Sequence, residues 1–227
     1  MGTSERKERE KERKKAMMLE AAEKVILEKG LDQLNMDEVA SRAEVSKGSL
    51  YLYFKNKTEL VLGICEKASK LFAEEASKVL TKNLPGIELV VMLGQSFLNF
   101  VREHPEYFRS MKFFDNLKES EALADSEYIV RCQDNIQNSF TCMVRAIQIG
   151  MQDGSINDDY DPRELAVLLW GTSDGIVNLA YMQQNCPHYE LMQDHQISLE
   201  SVFENYIKLI GGGIATDGKK NKKINDS

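Results

Sequence analysis

Residues 45–57, Val-Ser-Lys-Gly-Ser-Leu-Tyr-Leu-Tyr-Phe-Lys-Asn-Lys, constrain this chain more than any other stretch. They hold three lysines, two tyrosines, a glycine and no acid, in a protein of formal net charge −7. Ser46 is a good N-cap, and Val45 and Leu50 stand at the positions of a hydrophobic staple, so a short helix is expected to begin at Lys47. A lysine at the first helical position opposes the helix macrodipole, an arrangement that makes sense with an anion over the helix start. Gly48 has no Cβ to hold an approaching backbone away. The device then repeats: Asn56 caps, Glu59 is placed to close a capping box, and Lys57 opens the next helix. Two cationic helix starts this close together imply a negatively charged partner.

The residues upstream supply the other half of a helix-turn-helix. Asn35 and Glu38 have the spacing of a capping box, with Leu34 and Val39 as its staple, and Met36, Val39, Ala40 and Ala43 keep helical periodicity. After the short turn Glu44-Val45 comes the helix from Lys47, a separation suited to two crossed helices. An earlier helix, from about Ala16 to Lys29, has Met18, Ala21, Ala22, Val25 and Ile26 on its inward side and stops at Gly30. The three should pack together, with Leu50 and Phe54 turned into their common core.

With these elements in place the chain resembles the TetR family of bacterial transcription regulators. The matching residues are Ala21-Ala22, Glu28, Gly30, Val39-Ala40, Ala43, Val45-Ser46, Gly48, Leu50-Tyr51, Tyr53-Phe54, Lys57 and Leu60, over about residues 16–62. Departures fall at Asn35, where the family usually has Thr, at Ile26, usually Phe, and at Glu44, usually Gly. The first two keep capping and packing chemistry, while Glu44 is strained if the turn needs a positive φ.

The resemblance implies an all-α protein. A three-helix helix-turn-helix DNA-binding domain (16–62) would be joined by a connecting helix to a larger helical ligand-binding and dimerisation domain (63–210), flanked by a charged, flexible arm (1–15) and a disordered tail (211–227). It further implies a homodimeric repressor of a pseudo-palindromic double-stranded DNA operator, released by a small apolar or amphipathic effector. Lys47 would contact bases or phosphates in the major groove; Ser46, Gly48 and Ser49 would allow close approach; Tyr51, Tyr53 and Lys57 would hold phosphates, and Asn35 caps at the same surface.

Composition agrees with this outline without specifying it. At 227 residues with 42% hydrophobic residues and four prolines, the chain can bury a substantial core, and no strand-like alternation competes with the helical periodicity. Residues 1–60 carry a net charge of +1 and the remainder −8, so the acidity belongs to the second part and leaves a local basic surface possible in the first. The charged N-terminus and the lack of any run approaching about 18 apolar residues indicate neither signal peptide nor membrane anchor, with the cytoplasm as default. Cys65, Cys132, Cys142 and Cys186 lack metal or redox spacing and are expected as free thiols; the stretch Cys186-Pro187-His188 with His195 offers no tight ligand set, so no metal and no cofactor are expected. Residues 5–15, dense in both charges, read as a disordered arm or a solvated extension of the first helix.

Beyond Lys57 the pattern predicts a connecting helix to about Lys82, one from Pro85-Gly86 to Glu103, a short aromatic helix after Pro105, a long one over about 121–152 ended by Asp153-Gly154, and a final pair from Asp161-Pro162 and from about Ser198 to Ile210. Phe97, Phe100, Phe108, Met111, Phe114, Phe140 and Met143 could line an apolar pocket, with Gln133, Gln137 or Asn99 as polar contacts; such stripes are more often plain core, and it is the resemblance that implies a pocket. The final pair is more apolar than one core readily uses, and the resemblance assigns it to a four-helix dimer interface including Trp170, Ile176, Val202 and Tyr206. His104, His188 and His195 assemble no catalytic set, and no phosphate loop, zinc helix or nucleophile elbow is present, so an enzyme is not expected. The alternative is an all-α small-molecule-binding or enzymatic protein whose helix-turn-helix serves protein contacts.

Overall fold

Helix formation follows the caps. The computed structural model describes residues 3–117, 126–185 and 198–215. Among these lie nine helices: α1 (Thr3–Lys29), α2 (Met36–Arg42), α3 (Lys47–Tyr53), α4 (Lys57–Leu80), α5 (Gly86–Glu103), α6 (Pro105–Leu117), α7 (Glu127–Asp153), α8 (Pro162–Asn185) and α9 (Leu199–Ile214). The single extended pairing among the described residues is one antiparallel bridge between Ile156 and Ala215. α1 reaches back to Thr3, so the charged run 5–15 is a solvated helical extension, the second of the two forms weighed above, and a flexible arm is not what is observed there. α9 runs past Gly211–Gly213; the rest of the expected tail, and Cys186, His188 and His195, lie outside the described residues.

The chain divides into two compact units, Met1–Leu71 with Val101–Ile136 and Phe72–Phe100 with Gln137–Ser227, and α4, α5 and α7 each contribute residues to both. The first unit is built on the helix-turn-helix. Met18, Ala22, Val25 and Ile26 of α1, Val39 of α2, Leu50 of α3, Phe54 and Leu60 are fully buried or nearly so. α6 is fastened to this group: Arg109 donates to the Ile26 carbonyl at the end of α1 (3.3 Å), and the Cys65 thiol of α4 donates to the Ser110 carbonyl (2.9 Å). The Lys67 ammonium of α4 donates to both Glu23 carboxylate oxygens of α1 (2.8 and 2.9 Å). Burial pushes the Cys65 thiol up and that of Cys132 up to about 12, so neither is a reactive thiolate.

The second unit is held by a backbone-to-backbone contact. Gly86 opens α5 against Gly150 of α7 so closely that a Cβ on Gly86 would stand 2.0 Å from the Gly150 nitrogen. The Gly86 amide donates to Asp153 Oδ2 (2.8 Å), and the Ile87 amide to Ser155 Oγ (3.1 Å), so the last residue of α7 and the turn after it satisfy the first donors of α5. Leu89, Leu93, Ala146, Ile147, Ile156, Leu165, Ala166 and Leu169 form the core around this contact.

α8 corrects one expectation from the sequence. Pro162–Met182 is long and apolar enough to cross a membrane by length and composition, and most of it is unburied within the chain. Val167, Leu168 and Leu179 are its exposed large residues, and Leu209 of α9 is exposed as well. An apolar face left open in this way suits a partner surface.

Candidate functional site

The helix-turn-helix is assembled from local hydrogen bonds. Asn35 Oδ1 accepts from the Glu38 amide (2.9 Å) and Ser46 Oγ from the Ser49 amide (3.1 Å), so both helices start on side-chain caps as the sequence predicts. Leu34 and Val39 are buried, as is Leu50, in keeping with their staple positions. Glu38 does not close a capping box. Its carboxylate instead takes Lys29 (2.7 Å) and Arg42 (2.8 Å), while Arg42 also reaches Glu28 (2.6 Å), which locks α2 to the end of α1. The Arg42 bond holds the Glu28 carboxyl below its ordinary range, and the Lys29 and Arg42 bonds do the same for Glu38. At the third cap, Glu59 accepts from the Lys55 amide rather than from the Asn56 amide, one residue earlier than the motif would have it.

Between α2 and α3 the chain turns through a Schellman motif. The Val45 amide donates to the Ala40 carbonyl (3.0 Å) and the Glu44 amide to the Ser41 carbonyl (3.2 Å). That motif needs a left-handed residue, and Glu44 supplies it at φ +54°, the conformation a glycine adopts without penalty. Locking α2 and the turn in this way fixes the direction in which α3 leaves the core.

α3 buries only Leu50, and Phe54 follows it into the core as the C-cap. At 100° per residue, Gly48 and Leu52 point opposite the buried side, with Tyr51 and Lys47 on one flank and Ser49 and Tyr53 on the other. Exposure follows this wheel: Gly48 and Lys47 are open, Tyr51 is 42% and Leu52 86% exposed, and Ser49 and Tyr53 are half-buried. A Cβ built on Gly48 meets nothing within 4 Å. The Lys47 ammonium is paired with Asp37 of α2, which raises its pKa, so the lysine is charged and held at the surface by an exposed acid. Lys57 is placed differently from a free phosphate ligand, because its ammonium donates to the Asp32 carbonyl (3.1 Å) at the surface. Asn35 and Ser46 are exposed, with their side chains committed to capping.

Within the second unit, two small apolar cavities of about 30 Å³ each lie side by side, sharing Gly94, Met143 and Ser173 as walls. Phe72, Phe97 and Trp170 complete the first, with ring pairs Phe72–Phe97 at 5.7 Å and Phe72–Trp170 at 6.3 Å. Val90, Leu169, Tyr206 and Ile210 help complete the second. Of the residues the sequence offered as pocket lining, Phe97 and Met143 reach a cavity, Phe100 packs at a tilt against Phe72 and Phe140 meets Trp170 edge to face. Phe108, Met111, Phe114 and Gln133 belong to the other unit. Gln133, Gln137 and Asn99 are exposed; the polar atoms at the cavities come from Ser139, Ser173 and Tyr206.

Two of the residues offered for a dimer interface turn inward. Trp170 walls the first cavity, and the Tyr206 hydroxyl donates to the Leu169 carbonyl (2.9 Å), tying α9 to α8. Ile176 and Val202 are half-buried. The open apolar positions are Val167, Leu168, Leu179 and Leu209, which a hydropathy reading could not separate from their inward neighbours. Leu168, Thr172, Gly175 and Leu179 recur at helical spacing, so they share one exposed stripe.

The sequence profile of the bacterial regulatory proteins of the tetR family matches residues 18–64. The uncharacterized HTH-type transcriptional regulator YhgD of Bacillus subtilis is 30% identical over 143 residues, 63% of this chain and 72% of its own length. The fatty acid metabolism regulator protein of the same species is 22% identical over 209 residues, 91% of this chain and 98% of its own. A matched Haemophilus influenzae regulator is spanned over only 52% of its length. Among solved structures, the transcriptional regulator FadR from Bacillus subtilis in complex with stearoyl-CoA shares the fold with a TM-score of 0.61 at 20% identity, covering 88% of this chain and 98% of that one. Proteins of this kind bind DNA through the helix-turn-helix and are regulators rather than enzymes. The capped helices and the Schellman turn therefore form the helix-turn-helix of a chain that belongs to the TetR family of bacterial transcriptional regulators.

Proposed function

We propose that the protein is a homodimeric repressor in which each α3 enters the major groove of a pseudo-palindromic operator, and that an amphipathic effector with a long apolar chain releases it. The observation that carries this reading is the outward face of α3. It is exposed, free of acid from Val45 to Lys57, and mounted on a capped and buried frame. In the proposed complex Lys47 exchanges Asp37 for a phosphate or a guanine edge, Gly48 lets the backbone approach, and Ser46, Ser49, Tyr51 and Tyr53 set the register on the phosphates. Asn35 holds the start of α2 at the same surface. Lys57 acts chiefly by fixing the start of α4 to the Asp32 carbonyl.

The exposed stripe of α8, together with Leu209, supports a two-fold helical interface, and the small residues Gly171 and Gly175, whose Cβ positions meet nothing within the chain, suit close helix approach. The fatty acid regulators among the relatives, one of them solved with stearoyl-CoA, favour an acyl thioester as the effector class. The cavity walls, Phe72, Phe97, Met143 and Trp170, suit an apolar chain. A ligand site generally needs several hundred Å³, so cavities of about 30 Å³ can accept such a chain only by moving their walls. Only a ligand that prefers the opened form can shift DNA binding.

Selection of bound sequences from random duplex DNA tests this reading, followed by titration of the recovered site with long-chain acyl-CoA. A two-fold symmetric site that is released by the thioester is the expected result. Failure to enrich any sequence overturns the DNA-reading role; enrichment without release overturns the effector class alone.

A further inference from the structure

Leu52 is the most exposed large hydrophobic residue of the described chain, at 86%, and it stands at the centre of the surface that faces DNA. On the α3 wheel it lies one turn beyond Gly48 and diametrically opposite the buried Leu50, so a groove that receives the Gly48 backbone also receives the Leu52 side chain. Along α3 itself no acid stands between Val45 and Lys57, and Lys47 and Lys55 are exposed, while the groove beside Leu52 is lined by charges of both signs, Glu8, Glu12 and Glu59 with Lys11, Lys15 and Lys55. A branched apolar side chain is out of place there unless its partner is apolar too. The base-pair edges of the major groove present hydrogen-bond donors and acceptors and one apolar group, the C5-methyl of thymine. Against any other edge Leu52 would strip water from a donor or acceptor and return no hydrogen bond.

We infer that Leu52 is a specificity-determining residue that packs on a thymine methyl and fixes an A·T pair at one position of each half-site. The inference rests on the DNA-reading role proposed above. Phosphate contacts position the helix without reading sequence, whereas this contact discriminates between bases. It also makes Gly48 and Leu52 a functional pair: the first lets the helix in, and the second reads what it meets.

The experiment is a deoxyuridine scan of the selected operator. Each thymine of a half-site is replaced in turn, which removes only the methyl group, and affinity is measured for the full-length wild-type chain and for Leu52→Ala. At one position the wild type should lose about fourfold, the effect of burying one methyl group, while Leu52→Ala, already weaker on the thymine duplex, should not distinguish the two duplexes. All other positions should respond equally in both proteins. Melting of Leu52→Ala should match the wild type, since the side chain touches little of its own protein. A scan in which no methyl effect disappears with Leu52, or an operator with no required A·T pair, overturns the inference and leaves the DNA-reading role standing. If no operator is selected, that role fails first and takes this inference with it.

Discussion

The two halves of the molecule reach their working geometry by opposite routes. In the α2–turn–α3 head, the bonds that place α3 join residues three to five apart: Asn35 to Glu38, Ala40 to Val45, Ser46 to Ser49. In the second unit the defining contact joins Gly86 to Gly150 and Asp153, which are distant in sequence, and the cavity draws Phe72, Phe97, Met143 and Trp170 from four helices. A head built locally can be read residue by residue and tolerates surface change, while the second unit depends on close approach between remote backbones.

The sharpest way to break this comparison is Gly86→Ala. A methyl group 2.0 Å from the Gly150 nitrogen cannot be accommodated by a side-chain rotation, so α5 must separate from α7. Overpacking against backbone should destabilise by about 3 kcal/mol. Calorimetric unfolding should show the loss, and a wild-type melting profile would contradict the contact.

Next in size is Leu168→Glu, which places a charge in the open stripe of α8 without disturbing the chain's own core. The proposed dimer should sediment as a monomer with helical content intact. Retention of a dimer would move the interface elsewhere. Its exposure makes Leu168 a cleaner probe than the half-buried Val202.

The head and the second unit also differed in how much the sequence disclosed. Caps, staples and the positive φ suspected at Glu44 were all legible, because each depends on neighbours within a turn. Glu38 misled the reading for a physical reason: its carboxylate had two cations available, Lys29 from another helix and Arg42 one turn along its own, and they outcompeted its own helix start. In the second unit the helices were legible from Pro and Gly punctuation, but the side of each helix that turns inward was not. Trp170 and Tyr206, expected at an interface, also wall a cavity and tie α9 to α8 within the chain, while Leu168 and Leu209 carry the exposed surface. Apolar periodicity reports that a stripe exists; which partner covers it is decided by tertiary packing.

Smaller effects sharpen the contrast. Glu44→Gly should stabilise the head by about 0.5–1 kcal/mol, the relief of a left-handed Cβ less the greater freedom of an unfolded glycine, read as a small rise in the melting temperature. No rise would mean that Glu44 is held there by something other than the turn. The smallest expected effect is a change in acid sensitivity. Burial pushes the Asp153 carboxyl up, but bonds from Ser155 and the Gly86 amide outweigh it and leave its pKa below the ordinary value. Its contribution is therefore present above the unfolded carboxyl pKa and is lost as pH falls through the lower folded one. Asp153→Asn should flatten the acid limb of the stability curve, and an unchanged limb would show that the carboxylate does not hold the start of α5.

The central claim is that the outward face of α3 exists for a partner outside the protein, and Gly48→Ala tests it most directly. Within the chain the added methyl meets nothing and replaces the poorest helix former but proline, so stability should rise by about 0.5–1 kcal/mol. Operator affinity, measured alongside melting on the same protein, should fall, because the methyl stands where the DNA approaches. A variant that melts higher and binds the operator as well as the wild type would contradict the account.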